Sequence, residues 1–174
     1  MIDPKRHADS RGLIESVLRY IPGFRGYLEK DYRQESDHLV RRWMADRLQH
    51  SKRSLDAGMT SLVDAGRIDQ LPAWERLKNR LDAVILRLRS AVRGYSGFFD
   101  FVQVNTDLLD QVYEHDMALV QSVEKLALAI EQTAGSGDVP GSTTSEWLRQ
   151  IDDIDRRFSQ RGEMLNGLNA AAVG

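Results

Sequence analysis

YLEKDYRQESDHLVRRWMADRLQHSKRSLDAGMTSLVDA, residues 27–65, is the stretch that decides the fold. It contains no proline, and Gly58 is its only glycine. Proline and glycine interrupt helices, and this stretch contains just one of them. It therefore predicts one continuous helix. At 1.5 Å per residue, the helix is about 58 Å long.

The apolar residues of this helix change face along its length. At about 100° per residue, one side carries Leu28, Tyr32, Leu39 and Trp43, and Asp46 and His50 fall on the same side. A second face, about 150° round by the same geometry, carries Val40, Met44, Leu48, Leu55, Met59 and Leu62. A helix that faces one core would keep its apolar residues on one side. The two halves of this helix are therefore expected to face different neighbours.

Before the long helix, residues 1–10 are polar and predict a mobile tail. Apolar residues at helical spacing predict a short amphipathic helix over about 11–20. Pro22 and Gly23 should end it, so residues 11–26 comprise this helix and a break.

Three further segments follow the long helix. Gly66 suits the end of that helix, and Asp69 and Pro72 open the next, whose apolar face runs from Trp74 to Val92. Asn105 or Thr106 should cap a third helix over about 106–133. Residues 134–142, AGSGDVPGS, predict a flexible linker. Thr143 and Glu146 form a capping-box pattern that opens the last helix, over about 143–168.

These segments predict an all-α protein, an antiparallel bundle of three to four helices in a single domain, 1–174. No strand-like alternation persists, unless FDFVQV is a short strand. The first long helix is overlong, and residues 27–133 form a three-helix core.

Charge predicts which helices are neighbours. Residues 72–93 carry six basic side chains against two acidic ones, and residues 106–132 carry six acidic side chains against Lys125. Opposite charge should place the second and third helices side by side. Arg76, Arg80 and Arg87 align along one edge of the second helix and are expected to pair with the third.

Helix length predicts a projecting arm. The second helix reaches back only to about residues 40–45 of the long helix at 1.5 Å per residue. The first dozen or more residues of the long helix would then project and need cover. The short helix or the segment GYSGFF could supply it, or this end is an interface. The residues expected to carry such an interface are Leu18, Ile21, Phe24, Tyr27, Tyr95, Phe98, Phe99 and Phe101.

Composition is that of an ordinary soluble protein: 174 residues, 41% hydrophobic, 29% charged, formal net charge −2. Near-neutral charge disfavours nucleic acid as a partner. There is no cysteine, which excludes disulfides and thiol chemistry. The start has no apolar signal region, and no apolar run approaches the roughly 18 residues needed to cross a bilayer. The expected location is the cytoplasm.

Glu35 and His38 form the only E-x-x-H spacing that suggests a metal site. This spacing resembles that of ferritin-like, carboxylate-bridged dimetal bundles, and the resemblance implies a metal-binding bundle. That family needs a second E-x-x-H and two further inward glutamates, and the chain has no second copy. The sequence therefore assigns no metal ligand, no cofactor and no catalytic residue.

Asp116 lies in the middle of the apolar face of the third helix. A buried carboxylate is costly unless it is paired. It is either a polar contact that sets the register of the bundle, with an arginine or tyrosine as partner, or a ligand or acid–base site.

These patterns favour a non-enzymatic helical scaffold that self-associates or binds a protein partner. The first alternative is a peripheral module on a membrane surface, which residues 11–21 would contact through an amphipathic helix. The second is the ferritin-like bundle.

Overall fold

The computed structural model describes the backbone of residues 30–91 and 106–172, and the side chains of residues 37–91 and 110–164. These residues form four helices: α1 (Lys30–Asp64), α2 (Leu71–Ser90), α3 (Thr106–Thr133) and α4 (Gly141–Ala172). Short 3₁₀ turns, Ile68–Gln70 and Ala134–Ser136, precede α2 and follow α3. The described part of the chain contains no strand, so the prediction of an all-α bundle is confirmed. The short helix at 11–20, the break at Pro22 and the segment FDFVQV lie outside the described residues.

The helices form a ring in which α1 packs on α2 and α3, and α4 packs on the same two. The pairs α1/α4 and α2/α3 are therefore diagonal, and the prediction that α2 and α3 lie side by side is wrong. Each of these charged helices finds its partner elsewhere. Arg80 of α2 donates to Asp152 of α4 over 2.6 Å, and Glu124 of α3 accepts from Arg47 of α1 over 2.6 Å.

Consecutive helices alternate in direction. Lys52 of α1 contacts Asp82 of α2, and Asp56 of α1 contacts Lys78 of α2, so residue numbers rise on one helix as they fall on the other. The short turn at 134–140 likewise reverses the chain between α3 and α4. The neighbours α1 and α3 are consequently parallel, as are α2 and α4.

The second apolar face of α1 enters the core. Met59 is half-buried against the core, and the other five residues of that face are fully buried. The first face behaves differently: Leu39 and Trp43 are half-buried against the core, while Asp46 and His50 are exposed. Trp74 of α2 and Trp147 of α4 complete the core from the other side.

The two turns meet at one end of the bundle, here called the turn end. After α1, Gly66 adopts a positive φ of 70°, and Arg67 N–H donates to the Leu62 carbonyl over 2.9 Å, the geometry of a Schellman cap. Residues 134–142, for which the sequence predicts a flexible linker, instead form a compact turn packed on α1. Val139 is buried, and a Cβ on Gly137 would lie 2.8 Å from the Gly58 carbonyl oxygen.

The start of α4 also differs from the sequence prediction. The helix begins at Gly141, before the expected capping position Thr143. Thr143 N–H donates to the Pro140 carbonyl over 2.9 Å, and Glu146 accepts from Arg149 and Gln150. Glu146 is therefore held within its own helix and forms no capping box.

The opposite end is called the open end and contains Lys30, Ser90, Thr106 and Ala172. Here α2 ends first. The contact of Arg41 of α1 with the carbonyl of Leu88, over 3.3 Å, shows that α2 ends at about the level of Arg41. The expected arm of α1 projects past α2, but α3 and α4 accompany it, because both are long enough to run past Arg41. The prediction of an arm that projects beyond all partners is wrong.

Candidate functional site

Four charged side chains meet inside the bundle near the open end. They are called the inner ion cluster and consist of Asp37 and Arg41 of α1, Asp116 of α3 and Arg161 of α4. Their exposed fractions are 2%, 3%, 0% and 1%. Charged side chains are rarely buried to this degree unless they are paired.

Arg161 lies at the centre of the inner ion cluster. Its Nε donates to Asp116 Oδ1 over 2.6 Å, and its Nη2 donates to Asp116 Oδ2 over 3.0 Å. The same Nη2 lies 2.6 Å from Asp37 Oδ1. A single guanidinium thus joins carboxylates from two other helices, α1 and α3.

Arg41 connects the cluster to the remaining helix. Its Nε donates to Asp37 Oδ2 over 2.9 Å, and its Nη1 donates to the carbonyl of Leu88 at the end of α2. A cation at a helix C-terminus is favourable because the last carbonyls lack partners within the helix. Among the described side chains, two acids and two bases therefore link all four helices.

This geometry confirms the predicted contact of Asp116 with an arginine. Both of its carboxylate oxygens accept from Arg161. A fork of this kind fixes the position of both groups, because the guanidinium and the carboxylate are planar. The arrangement can hold α1, α3 and α4 in one axial register.

Sequence reasoning missed the other three members of the cluster, although a signal was present. Arg161 comes seven residues after Ile154 and three after Phe158, so it falls on the apolar face of α4. It interrupts that face in the same way as Asp116 interrupts the apolar face of α3. Asp37 and Arg41 likewise fall seven and three residues before Met44 on the buried face of α1. Charged residues at core positions of three helices predict one shared contact.

A second ion network lies on the α1–α3 side of the bundle. Arg47 donates to Glu124 over 2.6 Å and to Glu131 over 2.8 Å, and its side chain is 17% exposed. Hydrogen bonding by Arg47 holds the pKa of Glu131 below its usual value, and the same bond raises the pKa of Arg47. His50 lies nearby, with Nε2 3.8 Å from Glu131 Oε1. No motif in the sequence marks Arg47, since it is one of several bases in a charged helix.

The basic edge of α2 faces α4. Arg80 donates to Asp152 and Asp155, and Arg87 donates to Asp155 and to Ser159. The Arg87 guanidinium also lies 5.9 Å from the centre of the Phe158 ring, within the range of a cation–π contact. The expectation that these arginines pair with α3 is therefore wrong for Arg80 and Arg87, because α4 presents carboxylates at closer range. Arg76, on the same edge, is exposed.

The E-x-x-H pattern is only partly described. His38 is exposed on α1, whereas the side chain of Glu35 lies outside the described residues. Among side chains 37–91 and 110–164, no three His, Asp or Glu residues come together in a way that could hold a metal ion. Within the described ranges, none of the helices combines the length and apolar character needed to cross a membrane.

The residues expected to form an interface all lie outside the described ranges: Leu18, Ile21, Phe24, Tyr27, Tyr95, Phe98, Phe99 and Phe101. Their points of attachment are nevertheless defined. Residues 18–27 precede Lys30, and residues 95–101 lie between Ser90 and Thr106. All three attachment points belong to the open end.

No protein-family model matches the chain, and comparisons with curated proteins and with solved structures also find no match.

Proposed function

We propose that this protein is a cytoplasmic, non-enzymatic helical scaffold that associates through the open end of its bundle, first of all with a second copy of itself. The observation that carries the proposal is the unequal length of the helices at this end. α2 stops at Ser90, while α1, α3 and α4 continue past it. α1 and α4, the two neighbours of α2, thereby lose a neighbour on one side among the described helices.

The amino-acid sequence at this end supports association. Four of the ten Phe and Tyr residues of the chain lie in residues 95–101, which are attached between Ser90 and Thr106. Leu18, Ile21 and Phe24 are attached through Lys30. Aromatic and large aliphatic side chains supply most of the energy of protein interfaces when they are buried together.

Charge also favours association between copies. The formal net charge is −2, so two copies repel each other only weakly.

The test is the mass in solution of the full-length protein, measured by light scattering at several concentrations. A monomer has a mass of 19.8 kDa, and the proposal expects a dimer or larger species. Leu18→Glu and Phe99→Glu should each reduce this species to a monomer while the far-ultraviolet circular dichroism stays unchanged.

Ile68→Glu is the matched control, because Ile68 is 64% exposed in the turn between α1 and α2, at the turn end. This variant should keep the mass of the unmodified protein. A monomeric unmodified protein at all concentrations would overturn self-association. An equal loss of mass in the Ile68 variant would show that the open end is not the interface.

A further inference from the structure

The inner ion cluster interrupts the apolar interior of the bundle near the open end. On the turn-end side, all four helices pack around apolar side chains, among them Leu48, Leu55, Trp74 and Leu81, all of them buried. At the level of Asp37, the interior is occupied by charged side chains, and α2 has already ended. Past the cluster, α1, α3 and α4 continue for about 10–16 Å at 1.5 Å per residue.

The two kinds of layer resist opening by different amounts. Separating apolar side chains exposes apolar surface to water, which is unfavourable in proportion to the area exposed. Separating a buried ion cluster returns all its charges to water, and their hydration offsets most of the Coulombic attraction that is lost. An opening that releases Asp37, Arg41, Asp116 and Arg161 together therefore costs less than one through an apolar layer.

The end of α2 adds to this difference. Beyond Ser90, only α1, α3 and α4 continue among the described helices. Arg41 lies at the boundary, since it binds Asp37 on one side and the Leu88 carbonyl on the other. Release of the cluster breaks the contact of Arg41 with the Leu88 carbonyl, but the buried side chains of α2, from Trp74 to Leu88, lie on the turn-end side of the cluster.

We propose that the inner ion cluster divides the bundle into two cooperative units, and that the open-end unit opens locally while the turn-end unit stays folded. The open-end unit comprises residues 30–41 of α1, 106–118 of α3 and 159–172 of α4. Local opening of this kind is a property of the single chain and does not depend on the association proposed above.

Hydrogen exchange of the full-length protein, resolved along the chain, tests the proposal. In α1, α3 and α4, amide protection should change in a step at the cluster, with opening at least about 100-fold more frequent on the open-end side. Ordinary fraying would give a gradual decline toward each helix end. A gradual decline, or equal protection on both sides, would overturn the proposal.

Replacing the charges tests the cause of the step. The fourfold variant D37L/R41M/D116L/R161M exchanges the cluster for apolar side chains and should slow open-end exchange about tenfold or more. The double variant D116L/R161M keeps the Asp37–Arg41 pair and tests the same point if the fourfold variant does not fold. Leu86→Met is the surface control and should leave all rates unchanged. A step that persists unchanged in a folded apolar variant would show that the ion cluster is not its cause.

Discussion

Arg161→Met tests how strongly the inner ion cluster depends on its central cation. Methionine keeps an unbranched side chain of similar length and removes the charge. The substitution eliminates both hydrogen bonds to Asp116 and the 2.6 Å contact with Asp37. Asp37 keeps Arg41 as a partner, so the main effect falls on Asp116, a fully buried carboxylate that loses the guanidinium balancing it.

Removing one partner of a buried ion pair costs about 3–5 kcal/mol in free energy of unfolding. A domain is stable by about 5–15 kcal/mol in total, so this loss is a large fraction. With a urea m-value of about 2 kcal/mol/M, the midpoint of urea unfolding should fall by about 2 M. The assay is urea unfolding followed by circular dichroism at 222 nm.

Two further variants separate the ion-pair effect from a general effect of substitution. D116N/R161M also removes the buried negative charge of Asp116 and should recover about 1.5 kcal/mol or more relative to Arg161→Met alone. Arg149→Met, on the exposed side of the same helix, should change stability by less than about 0.5 kcal/mol, because its side chain is 72% exposed. If Arg161→Met cost no more than Arg149→Met, the reasoning about the buried cluster would be refuted.

The remaining predictions concern the turn end, the Arg47 network and the order of the helices. Gly58→Ala should destabilise the protein by about 3 kcal/mol or more in thermal unfolding, since its Cβ would lie 2.1 Å from the Ala134 carbonyl oxygen. In the control Gly135→Ala, the added Cβ meets nothing within 4 Å, so this variant should unfold at nearly the same temperature as the unmodified protein. The pKa of Glu131 is lower in the folded protein, so its contribution to stability is present above the unfolded value of about 4.5 and is lost as pH falls through the folded pKa. In urea unfolding, the free energy of unfolding should therefore fall less between pH 6 and pH 3 in Glu131→Gln than in the unmodified protein. An unchanged pH dependence in that variant would contradict the assigned role of Arg47. The chain has no cysteine, so the variant R80C/D152C should be linked within one chain by a short bifunctional maleimide, and R80C/E124C should not; the reverse result would place α2 beside α3.

The helices themselves follow from the sequence because their apolar spacing is regular. Trp74, Leu77, Leu81, Val84 and Leu88 define the buried face of α2, and all five are buried. Pro72 in the first turn and Gly66 after α1 mark where the chain reverses. These signals are local, so one sequence is enough to read them.

The order of the helices around the ring does not follow from charge totals. The bases of α2 could pair with the acids of α3 or with Asp152 and Asp155 of α4, and totals do not distinguish the two. Exposed ion pairs contribute little energy, so they select between arrangements only together with the shape of the core.

The compact turn at 134–142 was missed for a related reason. Its glycines indicate flexibility locally, but Gly137 is required by the close approach to Gly58.

The site was predictable in part. Asp116 stands out because a carboxylate interrupts an apolar face, whereas Arg161 does not stand out in a helix that contains several arginines. The partner of Asp116 could be found only by considering together the charged residues that interrupt the apolar faces of three helices. The interface residues expected from the aromatic segments lie outside the described residues, so that expectation stays a prediction.

The ring order has a consequence for how the chain reaches its folded state. α1–α2 and α3–α4 are hairpins closed by short turns, whereas the ion pairs between α1 and α3 and between α2 and α4 join residues 68–84 positions apart. Local hairpins form quickly, and contacts distant in sequence form later because closing long loops costs entropy. Docking of two preformed hairpins is then the slow step. Two separate chains, cut between Ser90 and Thr106, should therefore reassemble by fragment complementation at a rate that depends on their concentration.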